Sequence, residues 1–402
     1  MQKLALSLYS GVPNLESGPN KIVYELLQNL YPNDNFDILF ISKNGIFTPD
    51  IILSKKANVN YLKLLKSLLG QKLFRKSYIY RSLFNSDSYL DLFFSEANNK
   101  LATYLSNIKL DIYHSHDIRA IPDELSANRI LLTIHSNGSI VNDMKNFYGD
   151  RPKLNKWYEY FREKEIEVIN KADYVVFPSY SAAELFQQDT GLRIDNSKLK
   201  VIYNGIDIDL INRISIDTEF LKKWDFLTDF ELKIFNVANH VTTRNVDKIV
   251  DVAEYLRKTN VNFIVINVGS GFLTSYIKKK IKENNLEKRF LIIPYLKNED
   301  VIRFMKFCNI YLSLSQRVIF DIVIIEALAS GSNIIALEAG CNRETIKNGI
   351  NGILVKELNP ELIAETILNF NHSFMDAALE TAKYFSVQNM VKKYLEIYNE
   401  KN

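Results

Sequence analysis

Short apolar runs rich in Ile, Val, Leu and Phe alternate with helix-like stretches along nearly the whole chain, and this alternation limits the fold more than any single motif. "KLALSLYS" leads into "NKIVYELLQNLY" and then "FDILFISK", and strand-like runs return in "LDIYHSH", "RILLTIHS", "ADYVVFPS" and "KLKVIYNG". Strands separated by helices imply parallel sheets with right-handed crossovers. After "VIYNGIDIDLI" at 201–211 the pattern restarts in "LKIFNVANHVTTRNVDKIVDVAEYLRK" and "NFIVINVGSG". It continues through "RFLIIPYL", "NIYLSLS", "GSNIIALEAG" and "GILVKE". A chain of 402 residues is too long for one ordinary core, so two doubly wound α/β domains are expected, joined near 205–225. The expected bounds are 1–210 and 211–384, with a closing helix at 385–402 packing back on the first domain.

Composition narrows the function. Hydrophobic residues are 47% and charged residues 24%, as in a folded soluble protein, and a net charge of +3 argues against generic nucleic-acid binding. Cys308 and Cys341 lie far apart in no metal-like pattern, which suits a reducing compartment and excludes a disulfide framework. "MQKLALSLYSGVPN" reads as a first strand and loop rather than a signal peptide. No segment approaches the roughly 18 apolar residues of a spanning helix, so a cytoplasmic protein is expected. Residues 61–84 carry six Lys or Arg and no acid among Leu, Phe and Tyr, which suits either an anionic membrane surface or a solvated helical face.

Ligands of open parallel sheets sit beyond the carboxyl ends of the strands, so chemistry is sought there. Gly18, in "ESGPNKIV", precedes a helix expected to begin near Asn20; it permits close approach of an anion, or serves an ordinary turn. His114 and His116 are two apart at one strand end, and His135 ends the next strand. Three readings stand for them: a metal site, neutral imidazoles bonded to a polar ligand, or packed strand-end histidines. Arg244 falls where a helix starts, as a phosphate ligand or a solvated charge. Gly269 and Gly271 mark a second close-approach turn. In "SQRVIFDIVIIEALASG" Asp321 is expected to cap a buried helix that Gly331 closes, with the lone acid Glu326 inside it. A buried carboxylate needs a partner.

Taken in order, "SGPNKIVYELLQNL", "DIYHSHD", "TIHSN", "VIYNGID", "VANHVTTRNVDKIVDVAEYL", "INVGSGF", "SLSQRVIFDIVIIEALASGSNIIA" and "AGCNRETIKNGINGILV" resemble the retaining GT-B glycosyltransferases, the group that includes mannosyltransferases and glycogen-synthase-like enzymes. The resemblance implies two Rossmann-like domains facing a central cleft. It implies transfer from a nucleotide-diphosphate sugar to a glycan or lipid-linked acceptor, in polysaccharide or glycoconjugate synthesis, with no metal and no resident cofactor. His116 then stands for the histidine near the transferred sugar and Arg244 for a basic residue on the phosphates. Glu326 stands for the acid on the ribose hydroxyls, and Gly18 for the loop beside the diphosphate. Phe320, Asp321, Ile322 and Val323 offer backbone N–H groups, the base is expected near Tyr295 and Leu296, and Asn239 and Gly269 complete the donor side.

Two positions depart from that pattern. The family's first glutamate, followed by Gly-Phe-Gly, aligns with Val318, followed by Ile319, Phe320 and Asp321. Its Gly-Arg aligns with Ala238 and Asn239. A second expectation therefore stands beside the first, a catalytically weak or inactive GT-B subunit that partners another transferase. An epimerase or a phosphorylase is disfavoured, the latter because it would need a pyridoxal lysine and a longer chain.

Overall fold

The structure is a computed structural model that describes residues 1–8, 13, 18–54, 99–106, 108–122, 124–148 and 152–400. The basic stretch 61–84 lies outside the described residues. The chain forms two compact units. One comprises Met1–Pro178, Ala183–Ile202 and Val391–Asn402; the other comprises Ser179–Ala182 and Tyr203–Met390. The main division thus falls between Ile202 and Tyr203.

The first unit is built on strands β1 (Gln2–Ser7), β2 (Phe36–Ser42), β3 (Gly45–Phe47), β4 (Leu110–Ser115), β5 (Ala127–Thr133), β6 (Tyr174–Phe177) and β7 (Leu199–Val201). Their order in the sheet is β3-β2-β1-β4-β5-β6-β7, parallel except for the β2–β3 pair. The three-residue β3, a short hairpin after Asn44, is an edge addition that the alternation did not predict. Strand order reverses direction between β1 and β4, and there the backbone N–H of His116 donates to Ser7 O at 3.0 Å.

The final helix, Val387–Tyr398, ends in this unit. Its terminal carbonyls lack intrahelical partners, and the buried Arg129 supplies them. The guanidinium donates to Ile397 O at 2.9 Å, Tyr398 O at 3.3 Å and Glu400 O at 2.5 Å. Tyr394 and Tyr398 on the same helix are 1% and 0% exposed, so this segment is core rather than an appendage.

The second unit holds β8 (Leu232–Val237), β9 (Phe263–Val268), β10 (Phe290–Ile293), β11 (Ile310–Ser313), β12 (Ile334–Leu337) and β13 (Ile353–Val355). Their order is β10-β9-β8-β11-β12-β13, wholly parallel, with the reversal between β8 and β11. Every residue of β9 is buried. Phe263 and Val265 enter one hydrophobic cluster while Ile264, Ile266 and Val268 enter another, the two-faced burial that helices on both sides of a parallel sheet demand.

Between β11 and β12 runs the helix Ile322–Ala329. Asp321 caps its start by accepting the Val323 N–H, and Gly331 follows its end at φ +71°, where only glycine is unstrained. Ile324, Ile325, Ala327 and Leu328 are fully buried, whereas Ile322 and Val323 at the opening turn are only half-buried.

Candidate functional site

In the first unit, the candidate residues gather at the reversal point. The helix Gly18–Leu30 begins at Gly18 itself rather than near Asn20, with Pro19 in its first turn, where a missing N–H costs nothing. Pro19, His116, Asp117, Arg119, His135 and Ser136 line a cavity of about 100 Å³. Arg119 is gripped by Asp117 through two bonds of 2.9 and 2.7 Å, and Asp143 also lines the cavity.

The three histidines divide their work. His114 is a packed core group, bonded to Tyr398 Oη at 2.6 Å and Thr133 Oγ1 at 2.7 Å. His116 Nδ1 lies 3.0 Å from His135 Nε2, and the rings stack at 5.3 Å. His116 is 2% exposed, yet its Nε2 is buried with no hydrogen-bond partner. An unmatched buried polar atom costs about 1–3 kcal/mol, so this nitrogen is suited to a ligand hydroxyl. Burial lowers the pKa of His114 to about 3 and of His135 to about 4. Burial, then His114 and His135, hold His116 well below its usual value. All three are neutral imidazoles near neutral pH. Among the described residues, no group of three or more His, Cys, Asp or Glu is placed to hold a metal ion.

In the second unit, the reversal between β8 and β11 again collects the polar groups. Arg244 closes the 3₁₀ turn Thr242–Arg244, one residue before Asn245 at φ +52° and the helix Val246–Arg257. Asn245 Nδ2 donates to Leu314 O at 2.8 Å and Gln316 N to Thr243 O at 2.9 Å, fastening the turn after β8 to the turn after β11. Arg244 Nη1 donates to Ser315 Oγ at 3.1 Å and lies 3.5 Å from Asp321 Oδ2. Of the N–H groups expected at residues 320–323, that of Val323 is therefore already taken by Asp321. Burial raises the Asp321 pKa; the Arg244 guanidinium and the Val323 N–H oppose the rise. Phe320 packs its ring against Tyr203 and Phe385 and anchors the turn.

Glu326 is 5% exposed and does have a protein partner, which the sequence did not disclose: Asn298 Nδ2 donates to its Oε1 at 3.1 Å. Asn298 opens the helix Asn298–Phe307 just after Tyr295 and Leu296. Tyr295 is 77% exposed and Leu296 packs on the core, so this loop presents an aromatic face beside the Glu326 pair.

Gly269 needs a different account from the one its sequence suggested. At φ +153° its missing Cβ would meet Ala238 O at 1.9 Å, and its N–H donates to Ile293 O at 2.9 Å. Gly271 would likewise meet His240 O at 2.5 Å. Both glycines let the turn after β9 lie against the turn after β8; the close approach is backbone on backbone. Asn239 sits exposed on that second turn. Beneath it runs a polar chain that sequence reasoning missed. Thr274 bonds His240 Nδ1 at 2.8 Å, His240 Nε2 bonds Asn267 Oδ1 at 2.7 Å, and Asn267 donates to Asn236, which donates to Leu312 O. Every link is satisfied, so the chain stiffens the strand ends at little cost.

Val318 is 5% exposed, with its carbonyl accepting the Cys341 N–H at 2.9 Å, so no acid faces outward at this position. Glu344 was also not foreseen. Its carboxylate accepts the N–H groups of Tyr180 and Ser181 at 3.0 and 2.7 Å and the Tyr203 hydroxyl at 3.0 Å.

Two parallel α/β units with polar groups at each reversal point define a GT-B protein. Residues 219–382 match the model of the glycosyl transferases group 1, and residues 67–210 match that of Glycosyltransferase Family 4. The chain belongs to the group 1 glycosyltransferases. It is 25% identical over 321 residues to N-acetyl-alpha-D-glucosaminyl L-malate synthase of Bacillus anthracis, covering 75% of this chain and 77% of that one. Among solved structures it resembles Anabaena HepE in complex with UDP-glucose, with TM-score 0.65 and 16% identity over 99% of both chains. Sucrose-phosphate synthase from Thermosynechococcus elongatus gives TM-score 0.69 and 15% identity over 99% of this chain and 98% of that one. These structural likenesses carry the fold. No helix among the described residues is long and apolar enough to cross a membrane.

Proposed function

We propose that this glycosyltransferase moves a sugar from a nucleotide-diphosphate donor to a glycan or lipid-linked acceptor, with retention at the anomeric carbon, in polysaccharide or glycoconjugate synthesis. The observation that carries the proposal is the Asn298–Glu326 pair on the helix that Asp321 caps beside Arg244. Five helical steps lead from Asp321 to Glu326, about 7.5 Å along the axis at ~1.5 Å per residue. That is the scale of one nucleotide, with ribose hydroxyls at Glu326, diphosphate at Arg244 and base at Tyr295. Arg244 and the helix N-terminus stabilise the charge that develops on the leaving diphosphate, the work that a metal ion does in other transferases. No resident cofactor is needed for that step. His116 is assigned to a hydroxyl of the transferred sugar.

The names of the relatives, with UDP-glucose and an N-acetylglucosaminyl group, make UDP-hexoses the first donors to test. Purified protein is expected to bind or hydrolyse one member of a panel of UDP-, GDP- and ADP-sugars, with a constant in the common range of about 1 μM to 1 mM. A panel without any binding overturns the reading. Val318 supports the second reading, a partner subunit with weak or no catalysis, since a buried valine cannot accept a sugar hydroxyl. Turnover of any donor by the isolated chain removes that alternative.

Peripheral contact with an anionic inner membrane face is assigned to the basic stretch 61–84. Charge reversal at Lys72, Arg75 and Lys76 is expected to weaken binding to phosphatidylserine-containing vesicles on the order of 100-fold, read by sedimentation, at about 1 kcal/mol for each cation lost. Unchanged sedimentation rejects the assignment.

A further inference from the structure

The groups assigned above to the donor's diphosphate are already occupied by an anion of the chain's own. Asp321 Oδ1 accepts the Val323 N–H at 3.3 Å, at the N-terminus of the Glu326 helix, while Oδ2 lies 3.5 Å from Arg244 Nη1. One carboxylate thus covers both positively polarised groups. Its side chain is 11% exposed and that of Arg244 is 37% exposed, so the pair opens to solvent on the arginine side. Where the resembling family carries the last glycine of Gly-Phe-Gly, this chain has placed the acid.

We propose that Asp321 is an internal stand-in for the donor diphosphate, holding Arg244 and the helix N-terminus until an incoming nucleoside diphosphate displaces its carboxylate from the arginine. The proposal rests on the nucleotide-sugar reading and deepens it, because it names what regulates entry to that site.

Capping alone does not account for the arrangement. Asn, Ser or Thr would cap the helix as well as Asp does, and none would bring a negative charge to the guanidinium. The second contact has the character of a displaceable one. At 3.5 Å it is longer than a charge-assisted hydrogen bond, and a partly exposed ion pair contributes little. A diphosphate brings more charge and can meet the planar fork of Arg244 through two oxygens, so it wins the exchange. Ser315, 3% exposed and bonded to Arg244 Nη1, keeps the arginine in place while the anions exchange. Among the described residues, Arg244 is the cation that opposes the rise in the Asp321 pKa, while Tyr311 and Cys341 are uncharged groups nearby. Arg244 is therefore the cation for which carboxylate and diphosphate compete. A stand-in that fills the site about nine-tenths of the time leaves it open about one-tenth of the time and so weakens apparent affinity about tenfold.

Asp321→Asn removes the charge and keeps the cap, so the fold is retained. Calorimetric titration with UDP, GDP and ADP, and with the corresponding nucleosides, should compare wild type, Asp321→Asn, Arg244→Ala and the double variant. The expected result is about tenfold tighter binding of one nucleoside diphosphate by Asp321→Asn. The nucleoside should bind unchanged, and the gain should vanish when Arg244→Ala is added. Equal or weaker diphosphate binding by Asp321→Asn overturns the stand-in. Weaker binding of the nucleotide sugar alone overturns it too, in favour of Asp321 as a ligand of the sugar. If no variant binds any nucleoside diphosphate or nucleoside, the nucleotide-sugar reading itself falls, and the stand-in falls with it.

Discussion

Replacing Glu326 with alanine is expected to weaken nucleotide binding on the order of 100-fold. The argument starts from burial. A carboxylate that is 5% exposed and accepts the Asn298 amide at 3.1 Å has two oxygens, with about four acceptor sites in all, to share with ribose hydroxyls. Hydrogen bonds to a charged group are each worth roughly 1.5–3 kcal/mol, and two of them reach the ~2.7 kcal/mol that 100-fold represents. Glu326→Gln keeps the shape and loses the charge, so an intermediate loss of about tenfold is expected. Asn298→Ala frees the carboxylate from its orienting partner and should cost less than either. Calorimetry with the donor nucleotide measures all three, and thermal unfolding separates lost binding from lost fold. Unchanged affinity in Glu326→Ala would reject the ribose assignment outright.

The second large effect is expected at His116. His116→Ala should lower kcat/KM on the order of 100-fold with the donor that the panel identifies, a loss of the size seen when one preorganised polar contact is removed from a transition state. Affinity for the nucleoside diphosphate should stay unchanged, because His116 is assigned to the sugar. His116→Asn, which keeps a hydrogen-bonding group, should recover part of the activity. Burial and the neighbouring imidazoles hold the pKa of His116 well below its usual value, so protonation of this ring should add no step to the pH–rate profile near neutrality. Stability carries the opposite signature. The folded pKa values of His114 and His135 are about 3 and 4, below the unfolded value near 6.5. The unfolded chain therefore binds more protons in acid. The stability conferred by the neutral rings is complete above about pH 6.5 and is lost progressively as pH falls towards 4. A melting temperature that does not fall over that interval would contradict the burial of this cluster.

The alternation of strand and helix was legible because burial on both faces of a parallel strand leaves nearly continuous apolar runs such as Phe263–Val268, broken only at Asn267. Both ends of the helix Ile322–Ala329 were legible too, since a cap at Asp321 and a left-handed glycine at Gly331 are local requirements. The three-residue β3 was missed because so short a run has too few positions to show a period. Pairings across sequence were not legible for a different reason. Asn298 meets Glu326, and His116 meets His135, only after strand order and register have brought their turns together. Gly269 shows a further limit. A glycine at a strand end signals close approach, but nothing in the sequence says whether the approaching group is a ligand or, as here, Ala238 O. The polar chain through His240 left no trace because Asn236 and Asn267 look like interruptions in apolar strands until each is seen bonded to the next.

The hydrogen bond between His114 and Tyr398 spans 284 residues of sequence, and Arg129 waits equally long for the carbonyls of Ile397 and Glu400. During synthesis at roughly 5–20 residues per second, the first unit leaves the ribosome some tens of seconds before the segment that completes its core. In that interval Thr133, His114 and Arg129 lack their closing partners, and a surface destined for Tyr394 and Tyr398 stays open. The second unit, complete in itself up to Met390, must be made in full before the first can close. The order of folding is thus the reverse of the order of translation, and the nascent first half is the state most in need of protection from aggregation.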